Sequence, residues 1–321
     1  MLLTLVVAVV SLCFGQYGLS IGDVLNQLAH PHHDADIAHQ IVWSVRLPRI
    51  LMALLAGGAL GLCGATLQGV FQNPLVDPHI IGVTSGSAFG GTLAILLGFS
   101  MPMMMGSTFF FGLLALTLVY LLAALQGRES TLVLILAGII LSGFFAALVS
   151  LMQYMADTEE VLPNIVFWLL GSFATANWTK VLLLVIPVAV AALVLYKLRW
   201  RINLLSLDDK DARALGVRVT ALRRGVLLCC ALLVADQVAV SGSIAWVGLV
   251  IPHLARMLSG ADHRRLLPCA FWMGANFMIL VDDLARTLTA AEIPIGIITA
   301  LVGAPLFTVM LVRASRKGLL K

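Results

Sequence analysis

Charge is what this chain has least of. Only 11% of its 321 residues are Asp, Glu, Lys or Arg, against 60% hydrophobic residues and a mean hydropathy of +1.02. Soluble domains carry about 25% charged residues, so an ordinary water-facing surface is excluded. Also missing are the phosphate-binding G-x-x-x-x-G-K-[ST], the dinucleotide glycine fingerprint and the H-E-x-x-H zinc helix. Any ATP chemistry must therefore come from another subunit. Cysteine amounts to five residues, Cys13, Cys63, Cys229, Cys230 and Cys269, all inside apolar runs, where they read as packing residues rather than disulfide or metal partners. Nucleic acid is not an expected partner.

What the chain does have is apolar length. Crossing a hydrocarbon core about 30 Å thick at about 1.5 Å per residue takes about 20 mostly apolar residues. Runs near 2–14, 48–70, 80–99, 105–125, 132–154, 181–198, 225–243, 244–258, 267–285 and 294–313 meet or approach this length. The expectation is an all-α, polytopic membrane bundle of ten transmembrane helices, one domain over residues 1–321. The 2–14 run lacks a basic flank and a fitting cleavage site, so it reads as a retained span, not a signal peptide. With both termini cytoplasmic, 16 of the 20 basic residues fall on the inner side: Arg128, Lys197 through Arg224, Arg256, Arg264, Arg265, and Arg313 to Lys321. This predicts a multi-pass protein of a bacterial inner (cytoplasmic) membrane.

Four cations then face outward: Arg46, Arg49, Lys180 and Arg286. They either snorkel to headgroups or dock carboxylates of a soluble acidic partner, for which the planar guanidinium fork is suited. Gly57, Gly58, Gly61 and Gly64, three and four apart, give the second span a face that another helix backbone can approach. Its break at Gln72-Asn73-Pro74-Leu75 and Asp77-Pro78 reads as a gate or a tight turn. Residues 197–224 form the largest soluble segment. In it Leu204, Leu207, Asp211 and Leu215 fit a short amphipathic helix ending at Gly216. The cluster Asp208, Asp209 and Asp211 favours a protein groove over a lipid surface as its seat.

Smaller features remain. Val161 to Phe173 is apolar but too short to cross, and predicts a helix lying at the outer surface. Asp236, within a predicted span, lines the pathway with Gln237 or closes an interhelical hydrogen bond. Asp282-Asp283 resembles a magnesium-diphosphate pair, but no third aspartate follows at the needed spacing. Asp282, four residues before Arg286, is assigned as its ion-pair partner. The stretch His30 to Asp36 with His39, and Met101, Met103, Met104 and Met105, carry metal-ligating atom types, but are assigned to a polar loop and to packing respectively.

The motifs R-L-P-R at 46–49, N-P-L-x-D-P at 73–78, L-x-L-x-D-x-x-A-x-x-L-G at 205–216, G-L-V-I-P-H at 248–253, D-H-R at 262–264, and E-x-P-I-G at 292–296 with G-A-P at 303–305 resemble, in order, those of FecCD-type permease subunits. That family comprises type II ATP-driven importers for iron chelates, haem and cobalamin. The resemblance spans nearly the whole chain. It implies a homodimeric permease in the lipid bilayer, two ATP-binding-cassette ATPase subunits beneath it that carry the ATP and magnesium, and a periplasmic substrate-binding protein above. It gives Arg46, Arg49 and Arg286 the task of receiving that protein's glutamates. Asn73, Leu75, Ser130, Thr131 and Leu132 become the cytoplasmic gate, with Leu132 in place of a polar residue. Residues 203–218, including Leu207, Asp208, Asp209, Ala212, Leu215 and Gly216, become the ATPase-coupling helix, with Asp208 where glycine is usual.

The expectation is a non-enzymatic transport subunit, with no cofactor of its own, that moves a metal chelate (ferric siderophore, haem or cobalamin) by alternating access. Molybdate or tungstate is the alternative cargo. An ion-coupled carrier acting alone would need several ionisable residues at membrane depth, and a prenyltransferase would make product from a diphosphate.

Overall fold

Long runs of mostly apolar side chains leave a backbone no route to satisfy its polar groups in lipid except its own i to i−4 ladder. The computed structural model is accordingly built from helices, with no strand among the described residues, which are 2–15, 17–30, 36–125, 130–207, 209–289 and 291–316. In order they are α1 (Leu2–Ser11), α2 (Ile21–Ala29), α3 (Ile37–Gln40), α4 (Leu47–Val70), α5 (Val83–Leu96), α6 (Met101–Leu125), α7 (Thr131–Met155), α8 (Val161–Leu169), α9 (Trp178–Leu205), α10 (Asp209–Ala214), α11 (Val219–Ser241), α12 (Val247–Ser259), α13 (His263–Thr287) and α14 (Ile295–Arg316). A π-turn, Ile41–Arg46, joins α3 to α4, and a 3₁₀ turn, Pro78–Ile81, precedes α5.

The protein is a multi-pass membrane helical bundle. Six helices are long and apolar enough to cross a membrane, and Leu2–Ser11, Val83–Leu96, Val247–Ser259 and Ile295–Met310 are apolar but shorter. One boundary moves well away from its expected position. The second run is expected at 48–70, yet the helix is continuous from Ile37 to Val70 and passes through Pro48, whose ring ordinarily interrupts a helix. The widened π-turn immediately before Pro48 supplies the slack that its ring needs.

At the centre, α4 and α13 pack backbone to backbone. A Cβ on Gly57 would lie 2.2 Å from the Gly274 carbonyl oxygen, one on Gly61 2.4 Å from that of Ala270, and one on Gly64 1.9 Å from that of Gly248 in α12. The glycine face read from the sequence is thus filled by α13 and α12, and no larger residue fits. Within the 161–173 segment the helical part is α8, Val161–Leu169. The carbonyls of Leu170 and Gly171 then accept from Gly296 and Ile295 at 2.9 Å each, splicing the end of α8 to the start of α14.

The segment 203–218 is not one amphipathic helix. Asn203 and Leu204 belong to α9, which runs through Leu205; a turn at Ser206 follows, and α10 occupies only Asp209–Ala214. The apolar run of α9 simply continues past the expected end, because Ile202 and Leu205 are buried. Gly216 does close α10: it takes φ +80°, with Val217 N–H donating to Ala212 O at 3.1 Å and Gly216 N–H to Arg213 O at 2.9 Å.

Candidate functional site

The α4–α13 pair has an arginine end and an amide end. At the first, Arg49 and Arg286 meet three carboxylates, and Arg46 meets backbone carbonyls. Arg49 lies along Asp282, its Nε 3.0 and 2.9 Å from the two carboxylate oxygens and its Nη2 2.9 Å from Oδ1, while Nη1 reaches Glu292 Oε1 at 2.7 Å. Arg286 donates to Asp283, to Phe14 O at 2.7 Å, and to Ser11 O and Oγ at 2.7 and 2.8 Å; Asp282 stands 3.7 Å from its Nε. Arg46 donates to Leu12 O at 2.6 Å and to Tyr17 O. The C-terminal carbonyls of α1 have no helical partner, and positive charge suits that end of a helix, so Arg46 and Arg286 together cap it. Ser11 Oγ adds a hydrogen bond to Asp283 at 2.6 Å.

All three arginines are buried, at 4, 7 and 6% exposure for Arg46, Arg49 and Arg286, and Asp282 is 1% exposed. They do not stand free at a rim. The expected Asp282–Arg286 pair is present, but the stronger partner of Asp282 is Arg49, and Asp283 takes Arg286. Glu292 is the most open of the charges bound to Arg49 or Arg286, with its side chain 32% exposed. Lys180, the fourth cation, is buried and donates to Thr175 Oγ1 at 2.6 Å.

At the other end, side-chain amides tie the helix ends together. Gln72 Nε2 donates to Leu205 O at 3.1 Å and Leu207 O at 2.7 Å. Asn203 Nδ2 donates to Asp262 Oδ1 at 2.7 Å, while Asn203 Oδ1 accepts from His263 N–H at 2.8 Å and lies 2.7 Å from its Nδ1. Asp262 caps α13 by accepting from Arg264 N–H at 2.9 Å. That bond, with the Asn203 amide second, holds its carboxyl down at about 2. Gln68 joins α4 to α12, accepting from Arg256 at 3.2 Å.

The residues expected to form a gate fall in two places. Asn73 and Leu75 follow α4, with Asn73 Oδ1 accepting from Leu75 N–H at 2.9 Å. Ser130 caps α7, accepting from Val133 N–H at 3.4 Å, followed by Thr131 and an exposed Leu132. No hydrogen bond among the described residues joins the two groups. Of the residues expected to couple to an ATPase, Asp208 lies outside the described residues. Asp209 pairs with Arg223 at 2.6 Å, Ala212 is buried, and Leu207 and Leu215 are exposed. Gln237 turns to its own helix end, donating to Ser241 Oγ and Gly242 O at 2.9 Å each, so it caps α11 rather than bridging helices. Asp236 is buried beside it with Oδ2 unpartnered.

Of the histidine loop, residues 31–35 lie outside the described residues; Asp36 caps α3 and accepts from Gln27 at 2.7 Å, and His39 stacks on Trp43. Met104 and Met105 are buried, whereas Met101 and Met103 are exposed. The sequence reading missed Ser11, Asp283 and Glu292 as partners of the arginines, and Gln72, Asn203 and His263 as the amide end. The one available signal was the polar residue flanking each motif: Gln72 before Asn73-Pro74, and Glu292 opening E-x-P-I-G.

Residues 3–313 match the FecCD transport family. Over 321 residues, 99% of this chain and 95% of the relative, the sequence is 55% identical to the molybdate import system permease protein MolB of Haemophilus influenzae. It is 39% identical to the hemin transport system permease protein HmuU of Yersinia pestis over 85% of this chain and 83% of that one. With the vitamin B12 import system permease protein BtuC of Klebsiella pneumoniae it shares 34% identity over 99% of this chain and 93% of the relative. A solved structure described as an inward-facing conformation of a metal-chelate type ABC transporter superposes with a TM-score of 0.90 at 55% identity, covering 97% of both chains.

Proposed function

The chain belongs to the FecCD transport family, and we propose that it is the permease subunit of an ATP-driven importer whose cargo is molybdate or a similar tetrahedral oxyanion. The observation that carries this cargo is the 55% identity to a molybdate permease over 99% of the chain, against 39% and 34% for the hemin and vitamin B12 permeases. The metal chelates ranked first on sequence grounds take second place.

In this reading the protein is a homodimer of ten-span subunits in a bacterial inner membrane, with its termini in the cytoplasm. Six long helices and four shorter apolar ones agree with that count. Two ATP-binding-cassette ATPases, which hold the ATP and magnesium, seat on Leu207, Asp209, Leu215 and Gly216 at the amide end, with the buried Ala212 fixing α10 from beneath. A periplasmic binding protein docks at the arginine end. ATP binding draws the ATPases together, α10 follows, and the pathway between the two permease subunits opens alternately to either side, past Asn73, Leu75 and Ser130 to Leu132.

Docking has a specific electrostatic requirement. Arg49 and Arg286 already hold Asp282, Asp283 and Glu292, and Arg46 is spent on backbone carbonyls, so a carboxylate arriving at Arg49 must exchange with one already present. Glu292 is the one to yield, because a half-open carboxylate is desolvated least and costs least to release.

The test is uptake of labelled molybdate, ferric siderophore, hemin or cobalamin by the whole complex in lipid vesicles. ATP-dependent molybdate accumulation is expected. Chelate uptake in its place overturns the cargo, and uptake by the permease without ATPase or ATP overturns the ATP-driven reading in favour of an ion-coupled carrier.

A further inference from the structure

We propose that Gln72 is a positioning residue that latches the end of α4 to the end of α9, so that movement of the coupling segment reaches the Asn73–Leu75 loop through its side-chain amide. This rests on the permease reading above.

Three observations converge on this residue. First, its backbone is out of place for its type. Gln72 takes φ +51°, and it closes α4 as a glycine ordinarily would: Asn73 N–H donates to Gln68 O at 3.2 Å, and Gln72 N–H to Gly69 O at 3.4 Å. A glycine would make the same turn without crowding its Cβ, so a side chain kept at this position is held for what it touches.

Second, what it touches is the far end of another helix. Leu205 is the last residue of α9 and Leu207 lies in the turn leading to α10; the Gln72 amide donates one hydrogen bond to each carbonyl. Helix-end carbonyls lack ladder partners, and a donor from α4 satisfies them with a group 133 and 135 residues away in sequence.

Third, both ends of this bridge connect onward. Asn73 follows directly and organises the loop by accepting from Leu75 N–H at 2.9 Å, with Val76 N–H on its own carbonyl at 3.3 Å. On the other side, α10 begins two residues after Leu207, and its Asp209 holds Arg223 of α11. A displacement of α10 therefore pulls on Leu205 to Leu207, and the amide hands it to the α4 terminus. A purely apolar contact at this point would slide; a two-hydrogen-bond amide fixes direction.

The experiment uses the complete complex, with ATPase and binding protein, in lipid vesicles, measuring ATP hydrolysis and substrate uptake side by side. Gln72→Met keeps side-chain length and backbone conformation but removes both donors. Gln72→Gly removes them and relaxes the turn as well. Gln72→Lys keeps a donor for both carbonyls. Couplings between sites commonly amount to a factor of about 5 to 150, so Gln72→Met and Gln72→Gly should hydrolyse ATP within about twofold of wild type while uptake per ATP falls about tenfold. Gln72→Lys should keep the wild-type ratio. Wild-type uptake per ATP in Gln72→Met overturns the latch, as does a parallel fall of uptake and hydrolysis, or a failure of both the Met and Gly variants to assemble. Absence of ATP-driven uptake by the wild-type complex is a different result, and defeats the permease reading itself.

Discussion

The two ends of the α4–α13 pair solve the same problem with opposite chemistry. At one end Arg49, Arg286 and Asp282 are charged, buried and interlocked, with Asp283 partly buried on Arg286; at the other, side-chain amides hold helix ends, Gln72 on two carbonyls and Asn203 on the Asp262 carboxylate. Breaking a buried ion pair strands a charge in a poor solvent, whereas breaking an amide contact near water strands a group that water can satisfy. The arginine end is therefore the fixed anchor of the pair, and the amide end the part that can change partners. Between them the glycine contacts of Gly57, Gly61 and Gly64 leave no room for α4 to slide on α13 or α12.

The comparison breaks first if Arg49 turns out dispensable. Arg49→Ala leaves Asp282, 1% exposed, with only Arg286 at 3.7 Å. Removing one partner of a buried pair costs about 3–5 kcal/mol, and a steep drop of the thermal unfolding midpoint in detergent is expected. Arg49→Ala with Asp282→Ala should recover much of it, since the stranded carboxylate is gone. An unchanged midpoint in the single variant would mean that the arginine end anchors nothing.

Next comes the rod between the ends. Gly64→Val drives a Cβ toward the Gly248 oxygen, 1.9 Å from its ideal position, and the obstacle is backbone, not a side chain that can turn away. Overpacking costs about 1–3 kcal/mol, more where nothing yields, so the folded yield should fall sharply. Asn203→Ala acts at the softer end, releasing the Asp262 carboxyl and the His263 N–H, and should lower the unfolding midpoint less than Gly64→Val does. It should also let the Asp262 carboxyl, held at about 2, rise toward the ordinary carboxylate range. Because that carboxyl is depressed in the folded protein, its stabilisation is present above its ordinary value, near 3.9, and is lost as pH falls through about 2. Hydrogen exchange at the first turn of α13 between pH 5 and pH 2 would register this, and Asn203→Ala should shift the transition upward.

How much of this was legible in the sequence follows from the range of each interaction. Lipid forces long apolar helices, so the runs that became α4, α6, α7, α9, α11 and α13 were readable from composition, and the i, i+3, i+4 glycines announced their packing face. Gly216 could be read as a cap because capping is local. The partners of the arginines could not be read in the same way. Arg49 finds Asp282 and Glu292 at separations of 233 and 243 residues, and Arg286 finds Ser11 at 275, so only the fold brings them together. Spacing alone assigned Asp282 to Arg286, four residues on, and the bundle gave its closest contacts to Arg49. The coupling segment misled for a related reason: its leading apolar residues, Leu204 and Leu205, continue the α9 ladder, and local amphipathicity does not show where a preceding helix stops.

The smallest structural effect separates the two ends most sharply. Glu292→Gln removes the more open carboxylate on Arg49 while Asp282 keeps its hold on the same guanidinium, so unfolding should change far less than with Arg49→Ala. The consequence for docking runs the other way. The substitution leaves the arginine cluster with one net positive charge and Arg49 Nη1 without its carboxylate, so an acidic binding protein no longer competes with a built-in glutamate. Steering and exchange should both improve, giving affinity higher by about two- to fivefold at low salt, with the gain shrinking as salt screens the cluster. Affinity for the permease complex measured against ionic strength decides it. Unchanged or weaker binding by Glu292→Gln would make Glu292 a plain structural tie, and the arginine end an anchor with no part in docking.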